Sequence, residues 1–217
     1  MRNRLDTTVN IMILLTLAIM LFNPRGVVGS RILEWRAERD MRSQIALVWN
    51  DLVAAGSSFG ASSTYSHQII EFVDYQCTSC RAIADQVNTA ARDGGVRVIV
   101  RHLPLAAHEH ANSAARIAVC AEEQGVFEEV HHALLAHSDW GKDTSDLYAL
   151  AQEMQLPDLR RFDDCLSSER PDERILNDRR LAEALGIRGT PTFVTPIQVL
   201  AGADKVIDAI QTVRVNK

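Results

Sequence analysis

The chain is poor in cysteine, with four among its 217 residues. Four are too few for a miniprotein held together by disulfides, so the fold must depend on a packed core. A hydrophobic fraction of 47% in a chain of this length is enough for one domain with a sizeable core. Positive charge is not in excess either, because the formal net charge is −5. Nothing therefore indicates a nucleic acid as a partner.

The patterns of repeat proteins and of zinc sites are also missing. The sequence has no internal repeat and no low-complexity tract. Cys77 and Cys80 form a C-x-x-C pair, but no second pair and no suitably spaced histidines complete a zinc site. His108-Glu109-His110 does not follow the H-E-x-x-H pattern. We therefore expect no cofactor and no metal, although a lone C-x-x-C leaves a metal-binding module as an alternative.

The N-terminus has a basic start followed by an apolar segment. Arg2 and Arg4 precede VNIMILLTLAIMLF (9–22), an order typical of an export signal or a signal anchor. We predict that residues 1–30 anchor the chain in the membrane, with the N-terminus in the cytoplasm and the remainder exported. A cleaved export signal is the alternative, since these 14 residues are fewer than the ~20 of a typical spanning helix.

Residues 31–65 are predicted to connect this anchor to the catalytic domain. Between residues 31 and 55, apolar side chains recur at near-helical spacing among charged ones, which predicts an amphipathic helix. Such a helix can be a spacer, a membrane-surface helix or a dimerisation stalk. The Gly/Ser-rich run GSSFGASSTYS (56–66) then breaks the pattern and predicts a linker. The catalytic domain is expected to begin at residue 66.

The periodicity of residues 66–217 predicts a mixed α/β domain. Apolar and β-branched runs predict strands, and a period near 3.6 residues predicts helices. A long helical block, about residues 107–185, separates two groups of strands. The predicted elements are strand 67–74, helix 78–92, strand 96–103, the helical block, strands 192–195 and 198–201, and helix 204–213.

Cys77 and Cys80 lie where the first of these strands passes into the first helix. A cysteine at a helix N-terminus lies at the positive end of the helix dipole, which lowers its pKa and makes it a nucleophilic thiolate. The second cysteine, one turn further, is partly buried and within reach for an intramolecular disulfide. Such a pair can pass a disulfide to a partner, or accept one, through a mixed disulfide.

Three stretches of the sequence together resemble the DsbA-like form of the thioredoxin fold. They are EFVDYQCTSC, ANSAARIAVCAEEQGVFEEVHHALL and LGIRGTPTFV. The resemblance covers about residues 66–217 and implies a thioredoxin fold with an all-helical domain inserted between its halves. The expected architecture is this α/β fold preceded by a hydrophobic anchor helix and an amphipathic helix.

The resemblance also implies roles for individual residues. Cys77 matches the attacking cysteine of the family, and Cys80 matches the resolving one. Glu71 matches an acidic residue buried beneath the active site, which would transfer a proton to or from Cys80. Pro191 matches the cis-proline that faces the disulfide, and Thr190 before it would offer backbone groups to an extended substrate peptide.

Four further residues have less defined roles. Tyr75 and Gln76 directly precede the C-x-x-C pair, and we expect them to line the substrate-binding site. Cys120 and Cys165 lie on separate predicted helices. The pattern is compatible with a structural disulfide between them, which an oxidising compartment favours, and also with two free thiols in the core.

The residues between the two cysteines, Thr78-Ser79, depart from the family's pattern. Strongly oxidising members have proline and histidine, or another ring, at these positions. Without them, thiolate stabilisation rests on the helix dipole and two small hydroxyl groups. We therefore expect a weaker oxidant, and the resemblance leaves the direction of the reaction open.

The sequence as a whole predicts a thiol:disulfide oxidoreductase acting on protein cysteines in the cell envelope, tethered to the inner membrane on its periplasmic side. The expected partners are cysteine-containing envelope proteins and a membrane redox partner that recycles the Cys77-Cys80 pair. The alternatives are a disulfide reductase or isomerase of the same fold, and a non-enzymatic metal-binding or redox-sensing module.

Overall fold

The structure of the protein is a computed structural model that describes residues 2–22, 27–54, 56–60, 67–137, 149–150, 152–154 and 156–215. Residues 61–66 of the predicted linker and residues 138–148 of the predicted helical block lie outside this description. The chain divides into two compact units, Met1–Ser43 and Gln44–Lys217. The second unit contains all the predicted site residues.

The first unit consists of helix α1 (Arg2–Phe22) and the beginning of helix α2 (Val27–Ala54). The large apolar side chains between residues 9 and 19 are exposed. Within the described ranges, no helix is both long enough and apolar enough to cross a membrane. The N-terminal anchor therefore stays a prediction.

A five-stranded sheet forms the centre of the second unit. Its strands are ordered β1-β3-β2-β4-β5. The central pair, β2 and β3, runs parallel and places Glu71 opposite Val100, while the outer pairs are antiparallel. A parallel pair needs a crossover, which helix α3 (Thr78–Gly94) provides. The strands are β1 (Ser57–Gly60), β2 (His67–Val73), β3 (Val96–His102), β4 (Thr192–Val194) and β5 (Val199–Ala201).

The prediction that residues 56–66 form a linker is wrong for residues 57–60. These residues form strand β1 and pair with β3. Gly56 and Gly60, which suggested a flexible linker, instead allow the backbone to pack closely against β3. Gly60 has φ +99°, and a Cβ there would lie 2.6 Å from the carbonyl oxygen of Val96. A Cβ on Gly56 would collide with the side chain of Ile99. Only a residue without a side chain fits at either position.

Helices within the predicted helical block pack beside the sheet. A disulfide joins Cys120 of helix α4 (Ala111–Glu122) to Cys165 of helix α6 (Leu159–Leu166), so these residues form a structural disulfide rather than two free thiols. After the block, β4 and β5 lead through a short 3₁₀ turn (Ala203–Lys205) to the last helix. The helices are α4 (Ala111–Glu122), α5 (Phe127–Ala136), α6 (Leu159–Leu166), α7 (Arg170–Ala184) and α8 (Val206–Val215). The predicted mixed α/β fold is confirmed.

A buried ion pair ties three distant elements of the second unit together. Nη1 of Arg101 on β3 lies 2.8 Å from Oδ1 of Asp178 on α7, and neither side chain is exposed. The Arg101 guanidinium also donates to the carbonyl oxygens of Asp51 and Leu52 at the end of α2. Asp178 accepts a further hydrogen bond from the amide of His102. Both charges are thus compensated, as burial requires.

Candidate active site

Cys77 caps the N-terminus of α3. Its backbone is extended (φ −68°, ψ 118°), so the helix begins at the next residue. The amide of Cys77 donates to the backbone carbonyl of Asp74 at 3.1 Å, which closes a tight turn between β2 and the helix. This turn leaves the sulfur beside the unpaired amides of the first helical turn.

The two cysteines of the pair have very different acidities. The pKa of Cys77 is lowered to about 5, chiefly because the Cys80 thiol donates a hydrogen bond to its sulfur and also because the amides of Ser79 and Cys80 do so. The same interaction, together with burial, raises the pKa of Cys80. Both residues are free thiols here, 8% and 1% exposed respectively. Cys77 is therefore the candidate nucleophile, and Cys80 is a shielded hydrogen-bond donor to it.

The segment before β4 forms the opposite wall of the site. The Thr190–Pro191 peptide bond is cis. The carbonyl oxygen of Thr190 lies 3.4 Å from the sulfur of Cys77. Residues 113 positions apart thus meet at the sulfur of Cys77.

Glu71 lies beneath the pair on β2 and is 2% exposed. Burial raises its pKa to about 8, so the carboxyl group is largely protonated at neutral pH. When it is charged, it in turn raises the pKa of Cys80. The charge of Glu71 therefore affects the acidity of Cys80.

The structure does not place Tyr75 where the sequence suggested. Its side chain is 1% exposed, and its hydroxyl lies 3.0 Å from Nδ1 of His131 on α5. It packs inside the protein and presents no surface to a substrate. Gln76 is partly exposed, but its side-chain oxygen accepts a hydrogen bond from the amide of His110 at 2.9 Å. Gln76 thus holds the segment before α4 beside the site.

Asp74, which sequence reasoning missed, accepts hydrogen bonds from four groups around the site. One carboxylate oxygen accepts from the amides of Gln76 at 2.8 Å and Cys77 at 3.2 Å. The other accepts from the amide of Leu105 and from Nδ1 of His108, both at 2.8 Å. An aspartate two and three residues before amides it can cap is a recognisable local signal. Its hydrogen bonds to Leu105 and His108, which follow β3, give no such signal, because these residues reach Asp74 only in the folded chain.

The arrangement provides the groups that disulfide exchange requires. A low-pKa sulfur is held at a helix end, a second sulfur is hydrogen-bonded to it, and a neutral carboxyl group lies buried below. Across the described ranges, no group of three or more histidine, cysteine, aspartate or glutamate side chains is arranged to hold a metal ion. The geometry therefore fits thiol–disulfide chemistry between Cys77, Cys80 and a partner sulfur.

Known proteins share this fold. The family model described as thioredoxin matches residues 56–205, a stretch that includes β1. The thiol-disulfide exchange protein alpha-DsbA2 from Wolbachia pipientis has a TM-score of 0.74 and 21% identity, covering 84% of this chain and 98% of that one. A thioredoxin-like oxidoreductase from Silicibacter pomeroyi DSS-3 has a TM-score of 0.68 and 26% identity, covering 77% and 98%.

A curated relative is the Na⁺/H⁺ antiporter NhaA 3 of Salinispora tropica. It is 39% identical over 127 residues, which are 58% of this chain and 19% of the antiporter. The chain spans about a fifth of the length of the curated relatives it matches.

Proposed function

The chain belongs to the thioredoxin family, and on that premise we propose that it is a thiol:disulfide oxidoreductase that exchanges disulfides with protein cysteines in the cell envelope. The observation that carries this proposal is the asymmetry of the pair. Cys77 has a pKa of about 5 and borders the Thr190 carbonyl, whereas Cys80 is shielded behind it. A structural role for two inert thiols requires no such asymmetry.

In the oxidising direction the reaction begins with the Cys77–Cys80 disulfide. A substrate thiolate attacks the sulfur of Cys77, the disulfide breaks, and Cys80 leaves with the electron pair. The neutral carboxyl group of Glu71 supplies the proton that Cys80 takes up. A second substrate thiolate then attacks the mixed disulfide, and Cys77 leaves as a stable thiolate. The substrate loses two electrons and gains a disulfide, while the pair is reduced.

The acidity of Cys77 favours this direction over reduction or isomerisation of substrates. A pKa of about 5 keeps the sulfur ionised at neutral pH, which stabilises the reduced pair and makes Cys77 a good leaving group. The small residues Thr78-Ser79 suggested a weaker oxidant, but the hydrogen bond from Cys80 stabilises the thiolate without help from a ring between the cysteines. A membrane redox partner would reoxidise the pair.

We place this activity outside the cytoplasm, at the membrane. The basic and apolar N-terminal segment supports export with a retained anchor. The buried Cys120–Cys165 disulfide supports an oxidising compartment. Relatives named as Na⁺/H⁺ antiporters contain a matching stretch within membrane transport proteins, which supports a position at a membrane. Residues 1–30 would be the anchor, and cysteine-containing envelope proteins would be the substrates.

Oxidation of a reduced dithiol peptide by the oxidised protein tests the proposal. We expect turnover in a glutathione buffer and loss of turnover in Cys77→Ser. Reduced Cys80→Ser, given a single-cysteine peptide carried as a mixed disulfide with 2-thiopyridine, should accumulate a Cys77–peptide mixed disulfide, because neither Cys80 nor a second peptide thiol is present to resolve it. The double variant Cys120→Ala/Cys165→Ala is the matched control and should keep the activity. Metal binding by the purified protein without any turnover or trapped adduct would contradict the proposal.

A further inference from the structure

A cavity of about 490 Å³ opens beside the Thr190–Pro191 segment. Its lining comes from residues 186–192, which lead into β4, and from Val199, Ala201 and Gly202 at the edge of the sheet. Thr190 belongs to both the cavity and the reactive site, since its carbonyl oxygen lies 3.4 Å from the sulfur of Cys77. A peptide cysteine joined to Cys77 would therefore bring its neighbouring residues to this cavity.

Arg188 is the one ionisable side chain among the described residues that line this cavity. It is exposed, and no described group of the chain forms an ion pair or hydrogen bond with its guanidinium. Some other arginines of the second unit are neutralised by their own chain, as Arg101 is by Asp178 and Arg170 by Glu123, while exposed ones such as Arg160 lack a described ion pair but do not line this cavity. An unpaired guanidinium beside a binding cavity is suited to a carboxylate supplied by a partner.

We propose that Arg188 and this cavity form a specificity subsite for an acidic side chain close to the substrate's reactive cysteine. This inference rests on the proposed function and adds a preference among its substrates. Arg188 precedes Thr190 by two residues, and an extended peptide advances ~3.3 Å per residue. An aspartate or glutamate about two positions from the cysteine would therefore reach the guanidinium.

The rest of the molecule predicts the opposite preference. The chain carries a formal net charge of −5, and the thiolate of Cys77 is itself negative. Both features attract basic peptides and repel acidic ones. A preference for acidic neighbours must consequently come from a local positive group, and Arg188 is the group that the cavity offers.

Six short peptides test the inference. Each has a single cysteine carried as a mixed disulfide with 2-thiopyridine, and Glu, Gln or Lys two positions before or after that cysteine. The Cys77 thiolate of the reduced protein attacks the peptide sulfur, and thiopyridine leaves with the electron pair of the broken bond. Cys80 then attacks Cys77 and frees the peptide thiol. The released thiopyridine absorbs light, so the second-order rate constant is measured directly.

On at least one side of the cysteine, we expect the glutamate peptide to react about three- to tenfold faster than the lysine peptide at low salt. The preference should shrink as salt screens the charges. Arg188→Gln should abolish it and Arg188→Glu should reverse it. Arg160→Gln removes an exposed arginine of α6 outside the cavity lining and is the matched control, so it should keep the preference.

Two results would overturn the proposed subsite and leave the proposed function intact. One is a wild-type protein that reacts equally fast with all peptides or fastest with the lysine ones. The other is a preference for glutamate that survives in Arg188→Gln. If no peptide reacts at Cys77, the proposed function fails, and this subsite fails with it.

Discussion

Two buried carboxyl side chains lie near the Cys77–Cys80 pair, Asp74 at the amide of Cys77 and Glu71 close enough to affect Cys80, and their environments differ. Glu71 has a pKa raised to about 8 by burial, so it holds a proton at neutral pH. Asp74 accepts four hydrogen bonds and ties the turn at Cys77 to the segment after β3. Residues three positions apart in one short motif thus differ: Asp74 ties the turn together through hydrogen bonds, whereas Glu71 carries the proton that the proposed mechanism passes to Cys80.

Glu71 should make the protein less stable as the pH rises. Its folded-state pKa of about 8 exceeds the ordinary value of 4.5, so the folded state keeps a proton that the unfolded state loses. The free energy of unfolding therefore falls between about pH 4.5 and about pH 8. In urea melts of the oxidised protein, the free energy of unfolding of wild type should fall by about 2–4 kcal/mol over this pH range because of Glu71. Glu71→Gln, which has no group to titrate there, should not show this fall. The exposed Glu109→Gln is the control, and parallel pH profiles for Glu71→Gln and wild type would contradict the account.

Asp74→Ala should weaken both the fold and the site. The change leaves three donors without their acceptor, since the Cys77 amide keeps the backbone carbonyl of residue 74. Hydrogen bonds to a carboxylate contribute ~1.5–3 kcal/mol each, and solvent replaces part of this at the partly exposed donors. We expect a loss on the order of 2–4 kcal/mol in denaturant melts and slower alkylation of Cys77, with Asp74→Asn intermediate because its amide keeps one acceptor. Asp93→Ala, at an exposed position on α3, should change neither quantity. Unaltered Cys77 reactivity in Asp74→Ala would show that Asp74 does not position the nucleophile.

At the scale of elements, the periodic stretches were predictable and β1 was not. β2, α3 and β3 follow from their own residues, because apolar alternation and helical spacing are local signals. β1 consists of SSFG, which has the composition of a linker. It forms a strand because Gly60, together with Gly56 just before the strand, allows close approach to β3, and this contact lies outside the local sequence.

Gly60→Ala should test that packing. The new Cβ would lie 2.6 Å from the Val96 carbonyl oxygen, on a backbone with φ +99°. We expect a loss of about 2–4 kcal/mol in the free energy of unfolding, from strain and steric overlap together. Gly125→Ala is the matched control, since its φ is +75° and nothing lies within 4 Å of a Cβ there, and it should cost only ~1–2 kcal/mol. Equal losses would mean that β1 is not packed as closely as described.

The disulfide between α4 and α6 should stabilise the helical part of the domain. Cys120 and Cys165 are 45 residues apart, so the cross-link closes a long loop of the unfolded chain. Cys120→Ala/Cys165→Ala should lose about 2–4 kcal/mol in thermal melts without reductant. The variant Cys77→Ser/Cys80→Ser retains this disulfide and should keep its sensitivity to strong reductant. A double alanine variant that melts with wild type would rule out a stabilising role.

At the scale of the whole molecule, the contacts that could not be predicted are those between residues far apart in the sequence. The C-x-x-C pair was found from its local pattern at a strand–helix junction, whereas the Thr-Pro segment was found because a family resemblance linked it to that pair. The Arg101–Asp178 pair, 77 residues apart, carries no local signal. The burial of Tyr75 was missed for the same reason, since its partner His131 lies on a distant helix.

The proposed exchange reaction depends on Cys77 being an ionised nucleophile at neutral pH while Cys80 is held as a thiol. The most direct measurement is the alkylation rate of the reduced protein from about pH 3 to about pH 9, with the labelled cysteine identified by mass spectrometry. The account predicts labelling of Cys77 first, with a rate that rises through a midpoint near pH 5 and then levels off. Preferential labelling of Cys80, or a midpoint near the ordinary thiol pKa of ~8.5, would contradict it.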